Sequence, residues 1–251
     1  GLVVRSIAYC RSASEADADV RINRTQYDEA GRGVAKWDPR LWVLHDSDAF
    51  APANVQTHYS LSNVPLRSLS VDAGERVTLY GSAGQDICSW DGRANLQQME
   101  YDSFLRLSAV YEHASGAPVR CLERYGYGSV SHDFAEHNQC GRLIRHDAPA
   151  GTSHFNEFSI LGEPIEQNQH FLQALEPPDW PASEGDRDLL LESGAGYTTL
   201  SHFSPLGAVV MQIDAKGNQQ QFDHTVEGQL REVRLLLAGA STFKVLASSI
   251  H

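Results

Sequence analysis

Residues 203–228 read FSPLGAVVMQIDAKGNQQQFDHTVEG, and this stretch decides the fold. Gly207, Gly217 and Gly228 stand ten and then eleven residues apart. Between the first two, Val209, Met211 and Ile213 alternate with other residues, the period of a strand with one buried and one wet face. Asp214 lies three residues before Gly217. Aspartate accepts hydrogen bonds from amides just downstream, and glycine takes the positive φ of a tight hairpin. The stretch therefore predicts antiparallel hairpins that turn about every ten residues. Asn218 and the three glutamines after it, followed by Phe222, suit a hydrated wall better than a dry sandwich.

The same spacing recurs upstream. Gly141, Gly151 and Gly162 repeat it, and Gly84, Ala94 and Leu105 repeat it with two glycines replaced. Asp91 precedes Ala94 by three residues, and a partial copy starts at Gly31 with Asp38 three before Leu41. Self-similarity of this kind marks hairpins laid side by side. The expected architecture is mainly β: repeated antiparallel hairpins forming a curved, spiralling sheet, with short helices in inserts. Residues 1–251 read as one repeat segment, with units near 27–41, 84–105, 141–162 and 203–228 and a helical insert over 164–196. The expected turn residues are Tyr27, Asp28, Gly31, Gly84, Asp91, Tyr101, Asp102, Gly141, Asp147, Gly151, Gly162, Gly207, Asp214, Gly217, Phe222, Asp223 and Gly228. Aromatic residues before the aspartates suit packing across strands.

Elsewhere the pattern predicts strands over 2–9, 18–27, 67–80 (interrupted at 72–74), 107–111, 119–127 and 230–237, with a loop over 45–66. A short helix is expected over 131–136, capped by Ser131. Helical spacing is read over 166–175, stopped by the proline-rich 177–181, and a further helix over 183–192 with Ser183 as its cap.

A chain of 251 residues, 41% hydrophobic and 21% charged, is long and apolar enough for a sizeable core. Its net charge of -12 argues against a surface devoted to nucleic acid or anionic lipid. Cys10, Cys88, Cys121 and Cys140 are scattered without a CxxC, so they read as reduced and mostly buried rather than as a disulfide scaffold. No apolar run approaches the roughly 18 to 20 residues that span a membrane. The chain opens at Gly1 without Met or signal peptide, which reads as a piece of a longer protein.

Catalytic and ligand-binding readings are weaker than structural ones. Ser131-His132-Asp133 invites comparison with a triad, but a triad needs convergence in space rather than adjacency. His132, His137 and Cys140 fit no zinc spacing and lack a fourth ligand. The aspartates come one per turn, whereas calcium needs six to eight converging oxygens, so turn capping is the better reading. Trp90, Tyr101, Phe158, Phe203 and Phe222 could stack sugars, or pack between strands. The expectation is no enzyme, no metal and no cofactor.

Tyr27-Asp28-Glu29-Ala30-Gly31-Arg32 resembles the YD repeat of the RHS family, and Trp90-Asp91-Gly92-Arg93, Tyr101-Asp102, Asp214-Ala215-Lys216-Gly217 and Phe222-Asp223 are similar to its degenerate copies. Gly1 to Tyr9, Arg21-Ile22-Asn23-Arg24, Asp38-Pro39-Arg40-Leu41, Ser70 to Gly74, Arg145-His146-Asp147 and Asp223 to Leu230 resemble, in order, the start of the C component of bacterial Tc insecticidal toxin complexes. The resemblance implies a structural segment of a hollow shell that encloses a toxic C-terminal effector. It implies the B component and the rest of the same chain as partners, and the pore-forming A component indirectly. It implies synthesis in the bacterial cytoplasm and release within an extracellular complex. The family's autoproteolytic core and variable effector have no counterpart in these residues. The alternative is an extracellular YD-repeat module that binds carbohydrate or cell surfaces, and a third reading is a hydrolase using Ser131 and His132.

Overall fold

The computed structural model describes residues 1–248, and they divide into two units. The first comprises Gly1–Glu100 with Glu112–Val119, and the second Tyr101–Tyr111 with the chain from Arg120 onward. In the first unit the elements run β1 (Arg5–Cys10), β2 (Asp19–Tyr27), β3 (Gly33–Trp37), α1 (Pro39–Ser47), β4 (Val55–Tyr59), β5 (Pro65–Ser70), β6 (Gly74–Tyr80), β7 (Asp86–Asp91) and β8 (Leu96–Tyr101). Each strand pairs antiparallel with the next. Strand β9 (Leu107–His113) passes from the second unit into the first.

The second unit continues with β10 (Arg120–Tyr127), α2 (His132–Glu136), β11 (Leu143–Ala148), β12 (Gly151–Phe158), β13 (Pro164–Phe171), α3 (Glu184–Asp188), β14 (Tyr197–Phe203), β15 (Val209–Ile213), β16 (Gln219–His224), β17 (Leu230–Leu236) and β18 (Lys244–Ser248). From β10 to β18 every strand again pairs antiparallel with its successor. The mainly-β expectation, with short helices in inserts, is borne out.

Three local expectations fail for physical reasons. Residues 45–66 are not a loop. They hold the end of α1, then β4, then the start of β5, because Pro39 at the first turn and Asp38 as cap start a helix that the composition concealed. Residues 166–175 are not helical. Glu166, Gln167, Asn168 and Gln169 pair with β12 on one side and β14 on the other, and two ladders outweigh a weak helical period. The predicted helical insert at 164–196 therefore shrinks to the five-residue α3 within a connection over 172–196, called the strap below. Helices α2 and α3 form where expected, but neither Ser131 nor Ser183 makes a side-chain cap bond.

Most strands cover only one face, so the core is small and lies under the inserts. In the first unit Ala35 and Trp37 of β3 pack with Ala53, Leu41 and Trp42 from the α1 insert. In the second, Trp180 of the strap is 1% exposed and packs with Ala109, Cys121 and Leu191. All four cysteines are free, and only Cys121 is buried, a narrower burial than the sequence suggests. The Trp180 amide bonds the Cys121 carbonyl at 2.9 Å, and the Asp179 carboxylate accepts the Cys121 amide at 2.8 Å. Trp180→Ala is expected to cost about 3–5 kcal/mol, the usual range for a large buried aromatic, measured by urea denaturation of the whole protein.

Candidate functional site

Nine hairpin tips among the described residues share one geometry. They begin at Asp28, Ser60, Gly81, Asp91, Asp102, Ser159, Ser204, Asp214 and Thr225. In each, the first amide bonds the fifth carbonyl at 2.7–3.1 Å, and the fourth amide bonds the first carbonyl at 2.9–3.2 Å. The fourth residue takes a left-handed φ between 60° and 103°. This is the type I turn with a following left-handed bulge residue that joins many hairpins. Gly31, Gly84, Gly162, Gly207, Gly217 and Gly228 occupy that position. So do Asn63 at φ 66°, Ala94 at φ 61° and Leu105 at φ 60°. The replacements at 94 and 105 leave the turn intact at the cost of backbone strain, which places 84, 94 and 105 alongside 207, 217 and 228.

The first side chain closes each acidic turn. Asp28 Oδ1 accepts the Ala30 and Arg32 amides at 3.0 and 2.9 Å. Asp91, Asp102 and Asp214 accept the equivalent pairs at 2.9–3.0 Å. These bonds favour the ionised carboxylate. The Arg32 amide holds Asp28 below the usual carboxylate range against the effect of burial. The Asn95 and Asn218 side chains do the same for Asp91 and Asp214. At Asp102 burial pushes upward and is outweighed by the amide and guanidinium of Arg106.

At the four tips that begin with aspartate, the fifth residue follows the margin that the tip occupies within its unit. At the tips of β2–β3 and β8–β9 it is arginine. Arg32 Nε binds Asp28 at 2.6 Å, while its Nη1 reaches the Ser60 carbonyl of the next tip on that margin at 2.7 Å. Its guanidinium lies 5.2 Å from the Tyr59 ring centre. Arg106 repeats the arrangement with Asp102 at 2.7 Å, the Gly141 carbonyl at 3.2 Å and the Tyr127 ring at 4.1 Å. At the opposite margin, reached by the β7–β8 and β15–β16 tips, the fifth residue is asparagine. Asn95 and Asn218 donate to Asp91 and Asp214 at 2.8 and 2.7 Å, and accept the Ser115 and Ala238 amides of the next loop at 3.2 and 3.0 Å.

The residue before the tip fastens in the other direction. Tyr59 donates its hydroxyl to the Gly33 carbonyl at 3.2 Å and Tyr80 to Pro65 at 3.1 Å, and Tyr127, which precedes the α2 connection rather than a tip, donates to Leu107 at 2.9 Å. Tyr27 donates to Val3 at 3.1 Å. Each part of Tyr-Asp-x-x-Gly-Arg thus has a task. The tyrosine grips the preceding hairpin, the aspartate caps its own turn, the glycine supplies the left-handed step, and the arginine grips the following hairpin. Tyr101 ends β8, half-buried, just before the Asp102 tip.

Several expected turn residues lie elsewhere. Gly141 has positive φ but its amide bonds Gly128 within the α2 connection. Gly151 opens β12 after a two-residue loop. A Cβ there would lie 2.1 Å from the His170 carbonyl oxygen, so glycine is required by close approach rather than by the bulged turn. Of that series only Gly162 belongs to the nine tips. Asp38 caps α1 through the Leu41 amide at 2.9 Å, which holds its carboxyl at about 2. Phe222 and Asp223 lie within β16, where Asp223 pairs with Arg234 at 2.7 Å.

Asp147 departs furthest from expectation. It lies on β11, fully buried. Strand alternation puts Arg145 on the same face, and register brings Thr152 of β12 opposite Asp147. Arg145 Nε and Thr152 Oγ1 donate to Asp147 Oδ1 at 2.8 and 2.6 Å. Arg187 of α3 approaches Oδ2 at 2.9 Å, and Arg145 Nη1 returns to Asp188 of α3 at 2.8 Å. Burial lowers Arg187, whereas Asp147 and Asp188 keep Arg145 raised against burial. Arg124 Nε also holds the Trp180 carbonyl at 2.9 Å. A buried Arg145–Asp147–Arg187 cluster, joined at its edge by the exposed Asp188, therefore clamps the strap onto β11 and β12. Arg145 and Asp147 stood in the sequence at strand spacing, but nothing there named Arg187 or Thr152 as partners.

His132 is exposed and pairs with Glu136 within α2 at 3.1 Å. His137 pairs with Glu157 at 2.6 Å, which raises its pKa. Among the described residues no group of three or more His, Cys, Asp or Glu is placed to hold a metal ion. Trp90 and Phe203 are half-buried beside their turns, and Phe158 is buried. No described helix is long and apolar enough to cross a membrane.

Comparison with known proteins gives a consistent answer. Toxin subunit YenC1 of Yersinia entomophaga is 27% identical over 244 residues, covering 95% of this chain and 25% of that protein. Toxin subunit YenC2 of the same organism is 25% identical over 259 residues, covering 95% and 26%. A crystal structure of TcdB2-TccC3 without its hypervariable C-terminal region superposes with a TM-score of 0.86 at 31% identity, over 99% of this chain and 12% of that one. The Photorhabdus luminescens Tc holotoxin pore gives 0.84 and 31% over the same shares. No family model matches. The chain spans about a quarter of the curated relatives it matches. The resemblance to RHS-repeat Tc toxin C components, read from the sequence, is borne out.

Leu105→Gly is expected to stabilise the protein by about 1 kcal/mol, because it removes left-handed strain from a side chain. Arg106→Ala is expected to lose about 1–3 kcal/mol through its carboxylate, carbonyl and ring contacts. Asp147→Ala, which leaves two buried arginines uncompensated, is expected to cost about 3–5 kcal/mol. Denaturant midpoints rank the three. The turn aspartates have lowered folded pKa values, so their stabilisation is complete above the ordinary value of 3.8 and is lost as pH falls below it. An acid titration should show the midpoint falling below about pH 4, less steeply in Asp214→Asn.

Proposed function

We propose that this chain is a non-enzymatic wall segment of a Tc toxin C component, part of a shell that encloses a toxic C-terminal effector. The tip series carries the proposal. Hairpin after hairpin is fastened to its neighbours at the margins, while among the described residues two small insert clusters form the apolar core. Such a strip has little interior of its own and is suited to bounding a space. Repeat architectures of this kind hold each unit through its neighbours, so extension by further hairpins adds area without a new core.

Further strands of the same chain and the B component are the proposed neighbours, with the A component acting through the assembled complex. Synthesis in the bacterial cytoplasm followed by release as a complex accords with toxin-subunit relatives. Margin contacts at Arg32, Arg106, Asn95 and Asn218 keep successive hairpins in register along the wall.

The test is containment. The full C component is expressed with its B component and exposed to protease. The effector should survive when the wall is intact and be degraded when Arg106→Ala and Asp147→Ala are combined, at temperatures where the wild-type complex stays assembled. Equal effector survival in the doubly substituted complex, with the wall itself cleaved, would remove the role in containment.

A further inference from the structure

The strap over residues 172–196 closes on a histidine whose surroundings disfavour its charge. His154 of β12 faces Arg145 of β11 directly across the ladder and Asn168 of β13 on its other side. The His170 ring of β13 meets it edge-on at 6.0 Å. The titratable and charged groups that act on it are Arg145 and Asp147 from β11, Asp188 from α3 and His170 from β13, and Arg187 of α3 joins them through Asp147. With both histidines neutral, two guanidiniums face two carboxylates. We propose that the strap is a pH-sensitive latch, released from the sheet face when His154 takes up a proton.

Protonation places a third cation against two carboxylates, and directly opposite Arg145, where like charges repel. Asp147 and Asp188 offset it only in part, since Asp147 Oδ1 already accepts from Arg145 and Thr152 and its Oδ2 lies 2.9 Å from Arg187. Asp188 is more than half exposed, so water screens its charge. Strap and imidazole share one face of the sheet, since Asn168, directly opposite His154, donates to the Ala195 carbonyl of the strap at 2.9 Å. Arg187 is the cation free to leave, since it belongs to the strap and not to the sheet. Burial, then Arg145 and His170, lower the His154 pKa from its ordinary 6.5. The sign follows from linkage. The open state binds the proton more readily, so closure is fully stable above about pH 6.5 and weakens as pH falls from there toward the closed-state pKa.

Lifting the strap needs only local opening. Its amide contacts run from Trp180 to Cys121 at 2.9 Å, from Gln173 to Leu190 at 3.0 Å and from Glu192 to Phe171 at 2.8 Å. The β12–β13 ladder beneath can persist without them.

Hydrogen exchange on the full-length protein tests the latch. Exchange of the Trp180, Leu191 and Glu192 amides, corrected for intrinsic chemical rates, should accelerate about tenfold between pH 7.5 and pH 5, while β12 and β13 amides stay protected. His154→Gln should abolish the acceleration, and His137→Gln should leave it unchanged. Equal acceleration in His154→Gln, or none in the wild type, overturns the proposal. Should His154→Gln fail to fold, NMR titration of His154 in the wild type decides, and an imidazole titrating at or above 6.5 overturns it equally.

Discussion

One backbone step sustains both units: the left-handed residue at the fourth position of each bulged tip. With that step, the first and fifth residues of the tip exchange hydrogen bonds and the two strands leave the turn in fixed register. Without it the amides at the tip lose their partners and the ladder slips, turning every side chain to the wrong face. Gly31 takes the step at little cost, while Ala94 and Leu105 take it under strain. Asparagine at 63 is an intermediate solution, since its short polar side chain tolerates this region. The rest of the tip protects the step. A carboxylate or hydroxyl accepts the amides that the bulge leaves over, and the flanking tyrosine and arginine tie the tip to its neighbours.

This arrangement compensates for a thin interior. A single-layer sheet has no facing layer to bury its strands, so apolar area cannot hold it as it holds a sandwich. Polar contacts at the margins and the two inserts, α1 over β3 and the strap over β11 and β12, perform that task. The inserts differ in kind. The first is aromatic, with Trp37, Trp42 and His45 in mutual ring contact. The second is ionic at Asp147 and apolar at Trp180. A buried ion cluster is a costly way to attach a segment, but it is directional and loses its balance when one charge is added.

The fold was largely legible in the sequence because the tips obey a short-range rule. Spacing of ten and eleven, aspartate three before the left-handed residue, and an aromatic ahead of it are all local. The rule located Ala94 and Leu105 even though neither is a residue that favours the conformation. It misled where the same residue types serve other ends. Gly151 matches the spacing because a neighbouring backbone leaves no room for a Cβ, and Asp147 resembles a turn aspartate but lies on a strand. Those roles depend on residues such as His170 and Arg187, distant along the chain and brought close only by register and by the strap. The helical reading of 166–175 failed for a related reason, since pairing on both sides outweighs local periodicity.

The four acidic tips are closed in two chemically unlike ways. Arginine ties Asp28 and Asp102, whereas an asparagine side chain ties Asp91 and Asp214. Salt screens a pair of opposite charges more than a bond donated by an uncharged amide. Raising ionic strength therefore softens the Arg32 and Arg106 tips before the Asn95 and Asn218 tips. Within each unit the dissolved ions thus select which turns work loose first, a graded response rather than a uniform one.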